Sequence, residues 1–222
     1  MITLDPQRRP RHAVILCHPD RKSFNASVAE RYIRTVELMG HETVLRDLYA
    51  MHFDPVLKDE ERPGTADFMM AGDVAEELSV IAGCDAFILV YPIWFGLPPA
   101  MLKGYVDRVL GAAFPFRHVQ NRTTHPLLTG KKMLSFSSSG TSQQWLDEQG
   151  AWISLRTVFD KYLEHAFSMT SSDHVHFSPI IDGISQRFVN EELLRVEQAA
   201  KKLCASFLVP SRKDRAAQPE NG

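Results

Sequence analysis

Short apolar runs alternate along the chain with longer segments in which apolar residues recur at helical spacing. The runs are rich in aliphatic, β-branched and aromatic side chains, a pattern that predicts strands. Five of them lie at residues 12–18, 41–48, 85–91, 131–137 and 174–180. The helical pattern covers residues 25–40, 73–83, 99–110, 145–167 and 190–208, and a long irregular segment lies at residues 111–130.

This alternation predicts the fold class. Strands separated by helices pair in parallel through right-handed crossovers, and the helices then cover both faces of the sheet. The central runs are almost continuously apolar, as expected for strands buried on both faces. We therefore predict an α/β, doubly wound, five-stranded parallel sheet in a single domain, residues 12–209. Residues 1–11 are expected to form a basic arm and residues 210–222 a polar, disordered tail.

Composition and charge narrow the class of protein. The 222 residues are 44% hydrophobic and 23% charged, which fits one globular domain with a substantial core. A net charge of −2 provides no basic field for nucleic acid or an anionic membrane. No apolar stretch is long enough for membrane insertion. The three cysteines are far apart, without a CxxC pair, so we expect no disulfide framework and a reducing, cytoplasmic location.

Ligands of such sheets bind beyond the carboxyl ends of the strands, so the loops there carry the candidate chemistry. After the first strand comes "CHPDRKSFNAS". Ser23 or Asn25 can cap the next helix, and the free N–H groups there, with His18 nearby, suit a phosphate. Simple helix capping is the alternative account. Neither GxGxxG after this strand nor GxxxxGK[ST] occurs, which argues against a Rossmann dinucleotide site and a P-loop.

The loop after the third strand combines aromatics with prolines in "YPIWFGLPPAMLKGYVDRVL". Adjacent residues of an extended chain point in opposite directions, so Trp94 and Phe95 cannot both be buried. The prolines stiffen the loop and remove backbone donors at chosen places. Free N–H groups at residues 94–96 beside aromatic rings suit a flat heteroaromatic ring with an acceptor edge, such as a flavin.

The loop after the fourth strand, "SFSSSGTSQQW", is small and hydroxyl-rich. Gly140 lets the backbone approach a ligand closely, and the serines supply donors, although a flexible linker is the alternative. A serine nucleophile among residues 137–139 is disfavoured because no GxSxG elbow is present. His174 and His176 share one strand face, but the sequence places no third ligand, so we expect packed or solvated histidines and no metal site.

Two motifs of the chain resemble those of a known family. "HP...SFNAS" and "YPIWFGLPPAMLKGYVDRVL" are similar to motifs of the flavodoxin-like NAD(P)H:quinone oxidoreductases, also called the NAD(P)H dehydrogenase (quinone) family. The resemblance covers about residues 13–177. It implies the strand order 2-1-3-4-5, bound FMN or FAD, and a homodimer with active sites at the interface. A shorter C-terminal part than in mammalian members favours FMN.

The resemblance also implies residue roles. The flavin phosphate would be held by His18, Ser23, Phe24 and Asn25. The isoalloxazine would lie against Pro92, Ile93, Trp94 and Phe95. The pyrimidine edge would be hydrogen-bonded by Ser138, Ser139 and Gly140, which also give electrostatic support to chemistry at flavin N5. The loop and helix after the third strand would be supported by Lys103, Gly104, Asp107 and Arg108.

One departure from the family leaves the catalytic side chain unassigned. Mammalian members carry a Tyr and a His after the fourth strand as proton-relay candidates, whereas this chain has Trp145, Ala151 and Trp152 near those places. Hydride transfer does not need those side chains, because it requires only a nicotinamide stacked over N5. The two tryptophans are expected to serve the substrate pocket or the dimer contact.

The expected function follows from the resemblance. The chain would transfer hydride from NAD(P)H, through FMN or FAD, to a quinone or a similar small electron acceptor. The alternative is a non-catalytic flavodoxin-fold module, acting as a regulatory subunit or an electron carrier. A carrier would be expected to have a strongly acidic surface, and a net charge of −2 is mild by comparison.

Overall fold

One parallel sheet of five strands organises the molecule. The computed structural model describes residues 8–208. The strands are β1 (Arg11–Leu16), β2 (Glu42–Asp47), β3 (Ala86–Pro92), β4 (Lys132–Ser138) and β5 (Ser171–Phe177). Their order is β2-β1-β3-β4-β5, and every neighbouring pair is parallel. The predicted α/β class and the order implied by the family resemblance are both confirmed.

Helices cover both faces of the sheet. They are α1 (Phe24–Leu38), α2 (Gly72–Ile81), α3 (Ala100–Tyr105), α4 (Phe116–Gln120), α5 (Gln143–Glu148), α6 (Ala151–Leu155), α7 (Tyr162–Ala166) and α8 (Gln186–Ala205). A π-helical segment, Val106–Leu110, continues α3, and a second one, Arg156–Lys161, joins α6 to α7. No helix within residues 8–208 is both long and apolar enough to cross a membrane.

Alternating side chains of the strands divide the core into two layers. In β1, Ala13 and Ile15 pack toward α2, α3 and the α6–α7 segment, whereas Val14 and Leu16 pack toward α1 and α8. All seven residues of β3 are buried. A central parallel strand has no solvent-facing side, which explains why its sequence shows no polar alternation.

Several elements differ from the sequence prediction. The short helix α4 lies in the segment predicted to be irregular, and α8 begins at Gln186 rather than at residue 190. The helix predicted over residues 145–167 is interrupted at Gly150, whose φ of 65° is left-handed, so that α5 and α6 are separate helices. Glycine adopts this conformation without the steric cost that a Cβ imposes. The last strand begins at Ser171 rather than at residue 174, because residues 171–173 pair with the start of β4. It ends before Pro179, which has no N–H for the sheet.

The residues expected to support α3 do so. Lys103 Nζ lies 2.6 Å from Asp107 Oδ1, one helical turn away. The buried Arg108 lies 2.6 Å from Glu61 and donates to the carbonyl of Asp54 at 2.6 Å, which fastens the long loop after β2. A Cβ on Gly104 would lie 2.3 Å from the carbonyl oxygen of Pro55, so only glycine allows this contact.

The ends of the chain are described in part. Arg11 is the first residue of β1, and Arg8 of the predicted basic arm lies 2.5 Å from Asp85. The predicted tail, residues 210–222, lies outside the described residues.

Candidate functional site

The loops that follow β1, β3 and β4 meet at one edge of the sheet. The ring centroids of His18, after β1, and Trp94, after β3, are 5.8 Å apart. Ser138, the last residue of β4, donates a hydrogen bond of 2.8 Å from Oγ to Oδ1 of Asn25 in the first turn of α1. Its carbonyl accepts a bond of 2.7 Å from the N–H of Ile93. The structure thus brings the three predicted loops into contact.

The amino end of α1 carries free backbone donors. Ser23 is its N-cap, and Ser23 Oγ accepts from the N–H of Ala26 at 3.1 Å, as the capping account expects. Within the described residues, the N–H groups of Phe24 and Asn25 make no hydrogen bond. They lie at the positive end of the helix dipole, where anions bind. The ring of Phe24 packs on Phe177, at 5.2 Å between centroids, so Phe24 offers its backbone rather than its ring to a ligand.

Asn25 holds a buried donor that has no partner. The residue is 3% exposed, and its Oδ1 is engaged by Ser138. Its Nδ2 is buried without a hydrogen bond to any described residue. Leaving a buried donor unpaired costs about 1–3 kcal/mol. An acceptor oxygen from a ligand would remove that cost, so the residues at this edge fit a phosphate group.

The loop after β3 forms a tight turn that exposes its aromatics. Trp94 and Leu97 exchange both backbone hydrogen bonds, at 3.0 and 3.2 Å. Phe95 and Gly96 at the tip have φ of 51° and 84°, the left-handed values of a type I′ turn. The N–H of Trp94 is therefore occupied, which corrects the expectation of free N–H groups at residues 94–96. Phe95 is fully exposed and Trp94 is 41% exposed.

The loop after β4 offers less side-chain donor capacity than predicted. Ser138 and Ser139 are buried, and both hydroxyls already bond within the protein: Ser138 to Asn25, and Ser139 Oγ to the carbonyl of Thr141 at 3.0 Å. Gly140 is exposed, and among the residues described its N–H makes no hydrogen bond. Its backbone is the donor that remains for a ligand.

Sequence reasoning missed a hydrogen-bonded histidine network next to this loop. In the parallel register, Ser135 lies opposite His174 and Ser137 opposite His176. Ser137 Oγ lies 2.6 Å from His174 Nε2 and 2.8 Å from His176 Nδ1. His174 Nδ1 lies 2.6 Å from Oδ2 of Asp160, which is fully buried. The alternating serines of one strand and alternating histidines of the next were the signal that could have revealed it.

The network does not make a nucleophile of Ser137. Asp160, His174 and Ser137 have the contacts of a Ser-His-Asp triad, but Ser137 is completely buried, so no substrate carbonyl reaches its Oγ. Cys17 is also completely buried, and burial raises the pKa of its thiol to about 12, which excludes a thiolate near neutral pH. Burial lowers the pKa of His176 to about 4, with His174 and Arg195 adding to the shift.

The two tryptophans near the relay positions of relatives have different environments. Trp145, in the first turn of α5, is exposed. The ring of Trp152 packs on His174 at 4.8 Å and His176 at 5.2 Å between centroids, so it closes the network from the helix side. At the opposite edge of the sheet, the side chains of His12, His41 and Cys204 come within 4.8 Å of one another. Both ring nitrogens of His12 are already bonded there, to Tyr32 and His41.

The strand order and the meeting of three loops at the carboxyl ends of the strands define a doubly wound α/β protein. The loops lie at the switch in strand order, the place where ligands of such sheets bind. The profile of the flavodoxin-like fold family matches residues 10–204, and the chain belongs to that family. This confirms the resemblance found in the motifs.

Relatives and solved structures agree with this assignment. The chain is similar to an uncharacterized NAD(P)H oxidoreductase of Haemophilus influenzae, with 34% identity over 155 residues, 69% of this chain and 72% of the relative. It is 28% identical over 153 residues to NAD(P)H dehydrogenase (quinone) 1 of Rattus norvegicus, across 61% of this chain and 56% of that enzyme. These relatives are NAD(P)H oxidoreductases and quinone dehydrogenases by name.

The fold is shared with NAD(P)H:quinone oxidoreductase from Methanothermobacter marburgensis, at a TM-score of 0.72 and 23% identity, over 88% of this chain and 96% of that one. It is also shared with an FMN-dependent NADH-azoreductase from Bacillus anthracis in complex with FMN, at a TM-score of 0.59 and 18% identity, over 88% and 99% of the two chains.

Proposed function

We propose that the protein is a flavin-dependent oxidoreductase that transfers a hydride from NAD(P)H to a quinone or a similar small electron acceptor. The observation that carries the proposal is the buried, unpaired Nδ2 of Asn25, held by Ser138 beside the free N–H groups of α1 and next to an exposed aromatic turn. The names of the relatives support an NAD(P)H oxidoreductase, and the names of two structural neighbours include FMN.

The cofactor we propose is FMN, with FAD as the alternative. Its phosphate would be held by Asn25 Nδ2 and the first N–H groups of α1, with His18 at the side of the loop. Its ring would lie along residues 92–95, with Trp94 and Phe95 as the exposed aromatics, and the N–H of Gly140 would serve the pyrimidine edge. A bound flavin supplies two-electron chemistry at N5, and NAD(P)H is the co-substrate.

The acceptor is proposed to be flat and weakly charged. Exposed apolar side chains surround this edge, namely Trp94, Phe95, Leu97, Trp145 and Ile181. Large apolar side chains are rarely left together in water unless a ligand or a partner covers them. A quinone ring matches this surface in shape and polarity, and the same description fits other planar aromatic acceptors.

A second copy of the chain is the proposed partner. Exposed apolar side chains on α4 and on the α6–α7 segment border a cavity of about 340 Å³, namely Phe116, Val158 and Tyr162, and Ile153 is exposed on α6. This surface is separate from the aromatic turn and is formed by α4, which precedes β4, and by the α6–α7 segment, which follows the β4 loop. A homodimer through it would place another subunit beside each site, as the family resemblance implies.

The test is flavin binding followed by turnover. Purified protein titrated with FMN and with FAD is expected to quench flavin fluorescence, because the ring stacks on Trp94 or Phe95. The loaded protein is then expected to oxidise NADH or NADPH faster when a simple quinone is added. Failure to bind either flavin at micromolar concentration would refute the proposal, and binding without NAD(P)H oxidation would favour the non-catalytic alternative.

A further inference from the structure

Four consecutive hydrogen bonds join a buried carboxylate to the loop after β4. Asp160 Oδ2 lies 2.6 Å from His174 Nδ1, and His174 Nε2 lies 2.6 Å from Ser137 Oγ. Ser137 Oγ lies 2.8 Å from His176 Nδ1, and His176 Nε2 lies 3.0 Å from Ser139 Oγ. The five side chains all lie in the interior, with His174 and Asp160 at 0% side-chain exposure, and we call them the Asp160–Ser139 chain.

The outer end of the chain fixes the direction of the donors. The carbonyl of Thr141 only accepts, so Ser139 Oγ donates its single proton there, at 3.0 Å. Ser139 must then accept from His176 Nε2–H. Because burial lowers the pKa of His176 to about 4, its imidazole is neutral near pH 7, and its Nδ1 accepts from Ser137. Ser137 has then used its own proton and accepts from His174 Nε2–H.

In this arrangement one proton remains to be assigned, and it lies at the Asp160–His174 end of the chain. The Nδ1 of His174 and Oδ2 of Asp160 are 2.6 Å apart, a distance that requires a proton between them. With Nε2 of His174 already protonated, that proton is in excess of a neutral imidazole and a carboxylate. The pair therefore holds one additional proton, either on the imidazole or on the carboxyl group.

The same four bonds can be made in the opposite direction. In that arrangement Ser139 donates to His176 Nε2, and His176 Nδ1–H donates to Ser137. Ser137 then donates to His174 Nε2, and His174 Nδ1–H donates to Asp160. No excess proton remains, and the carbonyl of Thr141 loses its donor. The two arrangements differ by one proton, which enters or leaves at Ser139 Oγ.

We propose that the Asp160–Ser139 chain stores one proton at the Asp160–His174 pair and delivers it from Ser139 Oγ to the acceptor reduced at the loop after β4. The inference rests on the proposed function. Reduction of a quinone by NAD(P)H consumes one proton: NAD(P)H, a quinone and H⁺ give NAD(P)⁺ and the hydroquinone. As Ser139 Oγ releases its proton to the acceptor, Ser139 Oγ takes the proton from His176 Nε2. His176 Nδ1 takes the hydroxyl proton of Ser137, and Ser137 Oγ takes the proton from His174 Nε2.

A proton from the solvent then enters the chain at Ser139, and each side chain returns to its initial protonation state and tautomer. His176 carries the proton by exchanging one tautomer for the other, without becoming charged. The chain would thereby replace the Tyr and His side chains that mammalian relatives place after the fourth strand.

Within the described residues, charged side chains outside the chain face it at two places, beside Asp160 and beside His176. Ser135 Oγ donates to Asp160 Oδ1 at 3.1 Å, and Arg156 Nε lies 3.7 Å from Asp160 Oδ2. Arg195 of α8 contacts the carbonyl oxygen of His176, at 3.1 Å, rather than its ring. The rings of Tyr91 and Trp152 pack on His174. A positive charge beside the carboxylate favours release of the stored proton, whereas the apolar rings keep water away from the path.

The first test uses the flavin-free protein and therefore does not depend on the proposed function. Histidine ¹⁵N spectra are expected to show His176 protonated at Nε2 near neutral pH. Raising the pH is expected to move that proton to Nδ1 in the same step in which the Asp160–His174 pair loses one proton. Ser137→Ala should uncouple the two events, whereas Ser172→Ala, which removes a buried hydroxyl bonded to Glu164 outside the chain, should leave them coupled. A single His176 tautomer at every pH would overturn the proposal.

The second test uses the flavin-loaded protein and separates the two half-reactions. Ser137→Ala is expected to slow reduction of the quinone by roughly 100-fold, the scale of general acid catalysis, and to change its pH profile and solvent isotope effect. Reduction by NAD(P)H alone, which needs no proton from the chain, should be unchanged, as should flavin affinity. Should Ser137→Ala fail to fold, Ser139→Ala interrupts the same chain at its outer end.

Ser172→Ala, at a buried serine that bonds Glu164 outside the chain, is the matched control for both half-reactions. An unchanged quinone step, pH profile and isotope effect in Ser137→Ala and Ser139→Ala would overturn the relay while leaving the proposed function intact. Absence of flavin binding would refute the proposed function, and the tautomer titration would then decide by itself whether the buried proton store exists.

Discussion

Ser138 and Asn25, 113 positions apart in the sequence, are joined by a hydrogen bond of 2.8 Å from Ser138 Oγ to Asn25 Oδ1. The bond ties the end of β4 to the first turn of α1 and fixes the orientation of the Asn25 amide. With Oδ1 occupied, Nδ2 is the half of the amide left for a ligand. This relationship explains why a small polar pair, rather than a larger basic cluster, is expected to govern affinity for a phosphate.

Removing the Asn25 amide should weaken flavin binding far more than folding. We expect Asn25→Ala to raise the Kd for FMN roughly 10- to 100-fold, because a hydrogen bond to a charged group contributes about 1.5–3 kcal/mol. The free energy of unfolding should change little, since the variant also removes an unpaired buried donor. Ser23→Ala is the control: it should lose about 1 kcal/mol of stability as a lost N-cap and keep most of its affinity. Calorimetric titration and urea unfolding of both variants measure these effects, and equal losses of affinity would contradict the assignment.

The tip of the aromatic turn should show opposite effects on stability and function. Phe95 is fully exposed at a φ of 51°, a conformation that glycine adopts freely. Phe95→Gly is therefore expected to leave the unfolding free energy of the free protein equal or slightly higher, while raising KM for the quinone several-fold. Steady-state kinetics and chemical denaturation provide the comparison. A large loss of stability would mean that Phe95 packs within the protein rather than against a ligand.

The apolar surface on the α6–α7 segment should determine the oligomeric state. Val158→Asp places a charge among exposed apolar side chains beside the cavity described above and is expected to convert a dimer into a monomer. Leu38→Asp is the matched control, because Leu38 is also exposed but lies at the end of α1. Sedimentation velocity distinguishes the two species. A wild-type chain that sediments as a monomer at every concentration would refute the proposed interface.

Buried histidines should make stability fall as the pH is lowered. Burial lowers the pKa of His12, His125 and His176 to about 4 each, below the ordinary value of 6.5. The unfolded chain therefore binds more protons between these two values, so stability is full above pH 6.5 and is lost as the pH falls toward 4. Each such histidine contributes a slope of up to about 1.4 kcal/mol per pH unit.

Urea unfolding at a series of pH values measures the slope. His125→Gln should reduce the slope between the two pKa values by about one histidine's share. Leu38→Gln, a change at an exposed residue that does not titrate, should leave the slope unchanged. A flat profile across this range would show that these rings are protonated inside the fold.

The sequence predicted the strands of the sheet but not every helix around it. Continuous apolar runs such as residues 86–91 identify central parallel strands from burial alone, whereas the strand order required the family motifs. The interruption at Gly150 was hidden because apolar periodicity continues on both sides of that glycine. A single glycine within a helical pattern is compatible with either outcome, and tertiary packing decided it.

The sequence predicted which loops form the site but not the hydrogen bonds between individual atoms within it. Trp94 and Phe95 were recognised because two adjacent aromatics cannot both be buried, and both are exposed. The bonds of Ser139 to Thr141 and His176 could not be foreseen, because they depend on strand register and on the path of the loop. Asp160 likewise gave no signal, since its contact with His174 arises only when a π-helical segment packs on β5.

The contacts that hold α3 in place have a consequence for the kinetics of flavin association. The turn at residues 94–97 is attached on one side to the sheet, where Ile93 bonds to Ser138, and on the other to a helix fixed by Gly104 and Arg108. A ligand that binds at the turn therefore does not have to order a mobile loop, so binding does not carry the entropy cost of that ordering. Flavin association followed by stopped-flow fluorescence should show one concentration-dependent phase, with no slow step that is independent of concentration.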